Sequence, residues 1–237
     1  MWAILTDELR NTMDSLAFIH SLQIADSFFP VGTFAYSDGL ETAVAGGRIR
    51  DAASLGEWMG HFIDGVFVPC EGLALVKCMF ALKAGKFGVL SCIDDELTAI
   101  RPAAAVRASS MRIGKRLLSL YASIRGGEGF SAYTRMLPHG NAAAAYAVVF
   151  FHCGLAEREA LFAFGYNRLA GIVSAGLRLI SIGQQQGQEL LTSAIDHLPD
   201  AADRILQRAD EPLRSFSPVL DIQQMNHQYL YSRLFRS

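Results

Sequence analysis

The side chains that most often bind metal ions are present in this chain, but their spacing does not build a metal site. The histidines are His20, His61, His139, His152, His197 and His227. No two of them stand four residues apart, the spacing that places paired imidazoles on one helix face. There is also no histidine-rich tract. We therefore expect no stable metal site within one chain, while single transient ligands such as His227 and Cys70 stay open.

Covalent catalysis needs a nucleophile beside a positioned base, and the sequence carries no such signature. No GxSxG motif surrounds Ser37, Ser109 or Ser174. His152 and Cys153 are neighbours, and consecutive helical residues point about 100° apart, so we expect that they do not share one face. The glycine-containing segments at 126–129 and 183–187 lack the GxxxxGK[ST] spacing of a phosphate-binding loop. We expect no catalytic residue and no bound nucleotide.

One long apolar segment carries a narrow polar stripe. Asn167, Gly171, Ser174 and Arg178 follow one another at spacings of four, three and four residues, which places them on one side of a helix. A plain solvated face is the simpler interpretation, but such faces usually carry Lys and Glu. Small polar residues suit close helix packing or the lining of a narrow wet passage. We favour the passage as a hypothesis.

The segment 212–237 ends in aromatic and arginine residues, which dominate the energetics of protein interfaces. So much apolar surface must pack on its own domain or on another chain. From the residues alone, packing on its own domain and packing on another chain are about equally favoured, because docked termini are common. We interpret the segment as a tail that docks on a partner. The predicted docking set is His227, Tyr231, Arg233, Leu234, Phe235, Arg236 and Ser237.

A second unusual stretch, residues 22–50, is interrupted by a turn. Pro30 fixes its own φ and favours an extended Phe29, and Gly32 is free to adopt angles that Val or Thr resist. The aromatic residues around the turn predict that it lies under apolar cover. Ser37 is predicted to cap a helix that ends at Gly46. The residues assigned to the turn and its helix are Pro30, Gly32, Phe34, Tyr36, Ser37, Gly39 and Glu41.

Apolar residues recur with helical periodicity along most of the chain, and no sustained strand pattern or hairpin signal occurs. We predict an all-α, single-domain bundle of about nine to ten helices. Pro69 is expected to end one helix or to start the next. The glycine-rich segment 126–129 is expected to be the loosest loop. Residues 1–14 are expected to be frayed.

Composition narrows the class of protein. Hydrophobic residues make up 51% of the chain and charged residues 19%, which supplies a large core. A net charge of −2 gives no field that would gather nucleic acid or anionic lipid. The N-terminus lacks the pattern of a secretory signal, the longest apolar run is too short to span a membrane, and the separated cysteines indicate reduced thiols. We expect a cytoplasmic protein, and the apolar surplus favours a homodimer.

Two motifs at opposite ends of the chain resemble the UreF family. Residues 22–41 follow the order Leu-Gln-Ile-x-Asp-Ser-x-x-Pro-Val-Gly-x-Phe-x-Tyr-Ser-x-Gly-Leu-Glu, and residues 233–237 read Arg-Leu-Phe-Arg-Ser. Both are similar to signatures of that family, as are residues 107–118 and 173–190, whereas residues 123–141 match least. The resemblance implies an all-helical dimer that assembles with the accessory protein UreD (also called UreH) and the GTPase UreG.

That assembly delivers Ni²⁺ to apo-urease, so the resemblance implies a chaperone rather than an enzyme, with nickel in transit and no stable cofactor. An alternative is a regulator that inserts Arg178 or a tail arginine into the GTPase site. A free-standing helical hydrolase is a third possibility. It would require a closed pocket with perturbed titratable groups, of which the sequence gives no sign.

Overall fold

The computed structural model describes residues 15–236, and every regular element within them is helical. The predicted all-α single-domain bundle is confirmed. Residues 1–14 and Ser237, for which fraying and partner docking were predicted, lie outside the described residues. The helices are α1 Ser15–Ala25, α2 Leu40–Ala45, α3 Ala52–Phe62, α4 Gly72–Lys83, α5 Phe87–Ile100, α6 Ala104–Arg125, α7 Glu128–Thr134, α8 Ala142–Cys153, α9 Glu157–Leu179, α10 Gln184–Ile195, α11 Leu198–Gln207 and α12 Pro218–Asn226.

Helix α8 forms the centre of the core. Its side chains from Ala143 to Phe150 are all buried, which explains why this helix has no polar face. Helices α4 and α6 pack against it, and α9 contacts α1, α2, α4, α10 and α11. The long helix α9 therefore connects the core to α1 and α2, which carry the N-terminal motif.

Pro69 neither ends nor starts a helix, so that prediction was wrong. Helices α3 and α4 are joined by a π-helical segment, Ile63–Glu71, and the chain stays helical from Ala52 to Lys83. A proline normally breaks a helix because it removes a hydrogen bond and its ring crowds the preceding turn. The wider π turn changes the hydrogen-bond pattern at that place, and the helix continues.

Other boundaries also differ from the prediction. Helix α2 begins at Leu40 rather than Ser37, because Asp38 and Gly39 adopt left-handed φ angles of 51° and 90°. The predicted glycine-rich loop is short, since the helix α7 starts at Glu128. Helix α9 ends where Ile180 becomes extended, with a φ of −127°, so the following glutamine-rich segment forms the separate helix α10.

Two helical segments are long and apolar enough to cross a membrane by length and composition alone. They are Ala52–Lys83 and α9, and 72% and 56% of the respective apolar windows are buried inside the protein. Core helices of a bundle pass the same test, because a helix packed on several sides is apolar over much of its surface. Packing against neighbouring helices accounts for most of this apolar character.

Candidate functional site

The turn between α1 and α2 is fixed at one end and exposed at the other. Gly32 has a φ of 84°, as its predicted role requires. Phe29 is buried, whereas 91% of Phe28 and 65% of Phe34 are exposed. The predicted apolar cover is therefore only partly present, because the turn directs two phenylalanine rings outward.

Arginines from two helices hold this turn in place. Arg178 of α9 donates to the Phe34 carbonyl oxygen at 2.8 Å. Such bonds use carbonyls that the irregular backbone leaves without helical partners. Two arginines of α6 add weaker contacts, Arg116 Nε to the Pro30 carbonyl at 3.4 Å and Arg112 to the Tyr36 hydroxyl at 3.1 Å.

Glu41 joins the N-terminal motif to the C-terminal tail. Its buried carboxylate lies 2.9 Å from Nε2 of His227 and accepts hydrogen bonds from the backbone N–H groups of Leu234 at 2.5 Å and Phe235 at 3.2 Å. An ionised carboxylate is only an acceptor, so the imidazole donates. Ser37 Oγ in turn accepts the Glu41 N–H at 3.4 Å. Ser37 and Glu41, assigned from the sequence to the turn and its helix, therefore form one site with the residues assigned to the docking tail.

The tail has an inner and an outer side. His227 and Phe235 are 1% and 4% exposed, and the Arg178 guanidinium lies 4.2 Å from the centre of the Phe235 ring. The Arg236 N–H donates to the Ala35 carbonyl at 2.9 Å. The outer side consists of exposed side chains from the predicted docking set, namely Tyr231, Arg233, Leu234 and Arg236. Docking of these residues on a partner stays a prediction.

Gly39 allows α2 and α12 to approach each other closely. A Cβ atom at this position would lie 2.9 Å from the backbone nitrogen of Gln224 in α12, a distance at which the backbone has to shift. Gln224 also donates to the Asp38 carbonyl at 3.3 Å. The glycine is thus required both by its positive φ and by the contact that brings the tail onto the first motif.

Asp38, Glu71, Arg101 and Arg168 form a charged cluster beside the contact between Gly39 and α12. Of these four residues, only Asp38 lies in the N-terminal motif, between Ser37 and Gly39. Arg168 of α9 bonds Glu71 at 2.9 Å and Asp38 at 2.6 Å, and Arg101 pairs with Glu71 as well. Burial lowers the pKa of Arg168, but the charges of Glu71 and Asp38 outweigh it and hold that pKa above its ordinary value. The sequence did contain a signal for this cluster, because Glu71 stands at the start of the apolar helix α4, and a buried acidic side chain needs a partner.

The charged cluster borders a narrow cleft that is also lined by Cys70. Burial raises the pKa of the Cys70 thiol to about 12, which keeps it protonated at neutral pH. Glu71 and Asp38 are paired with the two arginines, which makes this part of the cleft a structural network. Asp221 of α12 also lines the cleft, and burial raises the pKa of its carboxyl above the ordinary value.

The predicted polar stripe divides into two parts. Asn167 is buried and donates to a backbone carbonyl of α1 at 2.9 Å, while the Tyr146 hydroxyl donates to its Oδ1 at 3.3 Å. Asn167 and Gly171 border a narrow cleft. Ser174 and Arg178 are exposed. Only the first pair lines a cleft, and a passage for an ion stays a prediction.

His152 and Cys153 do meet around one group, contrary to the expectation from their adjacency. The hydroxyl of Tyr121, in α6, lies 3.0 Å from His152 Nδ1 and 3.2 Å from Cys153 Sγ. Tyr121 can contact His152 and Cys153 at once because both of these side chains point partly towards α6. Burial lowers the pKa of His152 and raises that of Cys153. Both groups therefore favour their neutral forms, which does not make an activated nucleophile.

Metal-ligating side chains do not gather elsewhere in the part of the chain that the structure describes. Within residues 15–236, no group of three or more His, Cys, Asp or Glu side chains is placed to hold a metal ion. Fold and site together define an all-α protein whose candidate site is a hydrogen-bonded junction with an exposed aromatic surface.

Comparison with known proteins gives the family. A family model described as UreF matches residues 49–195. Proteins named urease accessory protein UreF match nearly the whole chain. The one from Microcystis aeruginosa is 33% identical over 95% of this chain and 100% of its own length. Those from Arthrobacter sp. and Trichormus variabilis are 32% and 31% identical, over 91% and 95% of this chain and 95% and 98% of their own. The chain belongs to the UreF family of urease accessory proteins, whose names describe them as accessory proteins rather than enzymes.

Proposed function

We propose that this chain is a non-enzymatic subunit of a cytoplasmic complex with UreD/UreH and the GTPase UreG, which delivers nickel to apo-urease. Membership of the UreF family supports a role in urease maturation. The observation that carries the proposal is the tail, whose inner side is held by Glu41 and Arg178 while its outer side leaves Tyr231 and Leu234 exposed. Nickel is the cargo of the assembly rather than a resident cofactor of this chain.

The fixed inner side makes the outer side a suitable docking surface. Tyr231 is fully exposed and Leu234 is 55% exposed, and both are of the apolar type that anchors protein interfaces. Their backbone is already ordered by the bonds to Glu41, so a partner loses less conformational entropy on binding. We propose that UreD/UreH covers these side chains.

Point variants test this docking better than a deletion does. Removing residues 233–237 should abolish copurification with UreD/UreH, but it also takes the Leu234 and Phe235 donors from Glu41. Tyr231→Ala combined with Leu234→Ala leaves the inner side intact. We expect the double variant to weaken binding of UreD/UreH by at least tenfold, the effect of losing a central anchor. Tyr166→Ala, at a tyrosine that is 40% exposed on α9, is the matched control.

Unchanged affinity of the double variant, measured by calorimetry with purified UreD/UreH, would show that the tail does not dock there. Thermal unfolding of the same variants is the fold control. Because the Tyr231 and Leu234 side chains are exposed, their replacement should change the free energy of unfolding by no more than about 0.5 kcal/mol, as other surface substitutions do.

We propose in addition that the cleft beside Asn167 and Gly171 lies on the nickel path. A Cβ at Gly171 meets no atom within 4 Å, so Gly171→Leu should narrow the cleft without disturbing the fold. Nickel transfer to apo-urease should slow while assembly of the complex is kept. Equal transfer rates for wild type and variant would remove the cleft from the path.

A second candidate function is activation of the GTPase by an arginine from this chain. Arg178 is poorly placed for it, because its guanidinium is held by the Phe34 carbonyl and the Phe235 ring. Arg233 is exposed on the outer side of the tail and is the better finger. Arg233→Ala should lower the GTPase rate constant of the saturated complex about a thousandfold if it enters the site, and leave it unchanged if the chain is a scaffold.

We also propose that the functional chain is a homodimer, in keeping with the large share of apolar residues, which amounts to 51% of the sequence.

A further inference from the structure

The π-helical segment Ile63–Glu71 contacts the stretch of chain that leads into α12. The backbone N–H of Arg214 donates to the carbonyl oxygen of Pro69 at 2.9 Å. π-Helical turns are rare, and they occur frequently at functional sites of proteins. In this chain the turn offers a backbone acceptor to a segment from the other end of the sequence.

Gly65, in the same π-helical segment, leaves room for the start of α12. A Cβ atom at Gly65 would overlap the hydroxyl oxygen of Ser217, and it would lie 3.3 Å from the Ser217 Cβ and 3.5 Å from the carbonyl oxygen of Phe216. Ser217 is only 8% exposed and directly precedes α12. Glycine weakens a helix interior relative to alanine. Here its missing side chain lets the two segments touch.

Further contacts hold the same stretch of chain. The side chain of Leu213 is buried, and its N–H donates to Glu96 Oε1 at 3.1 Å. In the preceding helix α11, Arg204 pairs with Asp64 of the π-helical segment at 2.8 Å. These contacts are independent of Glu41, so the start of α12 and the tail are fixed at two separate places.

Helix α12 connects these two places. It comprises nine residues, Pro218–Asn226, and is therefore about 14 Å long at a rise of 1.5 Å per residue. Ser217 stands at its N-terminal end, and His227, which contacts Glu41, follows its C-terminal end. Because a helix is stiff along its axis, a displacement of Ser217 is passed on to His227.

We propose that Gly65 and Pro69 are positioning residues for the docking of the partner. The π-helical segment fixes the start of α12, and α12 in turn sets the place at which the tail reaches Glu41 and presents its outer side. The inference rests on the docking of UreD/UreH proposed above. Gly65 has no side chain with which to bind a partner, so it acts through Ser217 and α12.

The test replaces Gly65 by valine in the full-length chain. Gly65→Val should weaken binding of UreD/UreH at least tenfold in calorimetry, because overlap in a packed contact forces the backbone to shift. In the chain alone, the amides of Leu234 and Phe235 should exchange at least tenfold faster, since the tail is released more often. Gly60→Val is the matched control, because a Cβ at Gly60, in α3, meets no atom within 4 Å. It should leave both quantities unchanged.

A second substitution separates positioning from a general loss of stability. Ser217→Gly removes the side chain that the valine would meet, and Ser217 makes no capping hydrogen bond with its side chain. Alone, this substitution should leave affinity and exchange unchanged. Combined with Gly65→Val, it should restore both towards the wild-type values. A helix that is merely destabilised by valine would not be repaired in this way.

The remaining outcomes overturn either the positioning role or the docking on which it rests. Unchanged tail exchange in folded Gly65→Val, equal effects of Gly60→Val, or no rescue by Ser217→Gly would refute the positioning role. Faster exchange with unchanged affinity would refute a role in docking. If wild type does not bind UreD/UreH, the proposed docking fails, while the exchange data still decide whether Gly65 positions the tail. Should Gly65→Val fail to fold by circular dichroism, Gly65→Ala is judged by the same rescue.

Discussion

Replacing Glu41 by Gln should loosen the tail without unfolding the bundle. Three donors converge on this carboxylate, from His227, Leu234 and Phe235. Hydrogen bonds to a charged acceptor contribute about 1.5–3 kcal/mol and those to a neutral one about 0.5–1.5 kcal/mol. A glutamine keeps one acceptor oxygen and presents an NH2 donor in place of the other, so at least one of the three bonds is lost and the others weaken by about 1 kcal/mol each. The total loss is thus about 3 kcal/mol or more. Because 1.4 kcal/mol corresponds to about a factor of ten, the tail should open about a hundredfold more often.

Amide hydrogen exchange measures that opening directly. The N–H groups of Leu234 and Phe235 should exchange about a hundredfold faster in Glu41→Gln, while amides of the central helix α8 keep their protection. Glu189→Gln is the control, since Glu189 lies on an exposed face of α10 and accepts a hydrogen bond from its helical neighbour Gln185. Unchanged exchange at the two tail amides, or equal acceleration in α8, would refute the idea that Glu41 holds the tail locally.

Three further substitutions or treatments have expected outcomes. Gly39→Ala should lower the free energy of unfolding by about 2 kcal/mol or more in urea titrations, because it adds a left-handed strain and a clash with Gln224. Arg168→Leu should cost about 3–5 kcal/mol in the same assay, since it leaves the buried charge of Glu71 short of a partner. Native protein at pH 8 should not react at Cys70 with a thiol reagent, because burial holds its pKa at about 12, and reactivity should grow only as the pH rises towards that value.

Each of these predictions has a control within the chain. Gly183→Ala should be tolerated, because a Cβ there meets no atom within 4 Å. Arg158→Leu breaks an exposed pair with Asp203 and a contact with the Phe162 ring and should cost about 1 kcal/mol, well below the cost at Arg168. Cys92 is exposed and should be modified first. Equal losses at Arg158 and Arg168, a harmless Gly39→Ala, or labelling of Cys70 as fast as Cys92 would contradict the respective argument.

The sequence was sufficient for the fold class because helical periodicity is a local property. The all-α bundle that it predicted is present throughout the described residues. The prediction failed at Pro69, since the effect of a proline depends on whether the surrounding turn can widen, and packing decides that. Helix α7 was missed because Gly126 and Gly127 dominated the local pattern.

The candidate site was predictable in its parts but not in its assembly. Pro30, Gly32 and Glu41 were singled out at one end of the chain and His227 and Phe235 at the other. Nothing in local spacing indicates that one carboxylate receives donors from the distant tail. Arg168 and Glu71 were overlooked. A single charged residue in an apolar helix indicates that a partner of opposite charge is present, but the local sequence does not identify that partner.

The junction at Glu41 has a consequence for synthesis of the protein. Leu234 follows Glu41 by 193 residues, so the acceptor leaves the ribosome long before its donors do. During that interval α2 has an uncompensated carboxylate, and Gly39 faces a vacant position where α12 will later sit. The surface made by the turn and the tail therefore comes into being only after nearly all of the intervening helices have been made, and an incompletely translated chain offers no premature binding site at that place.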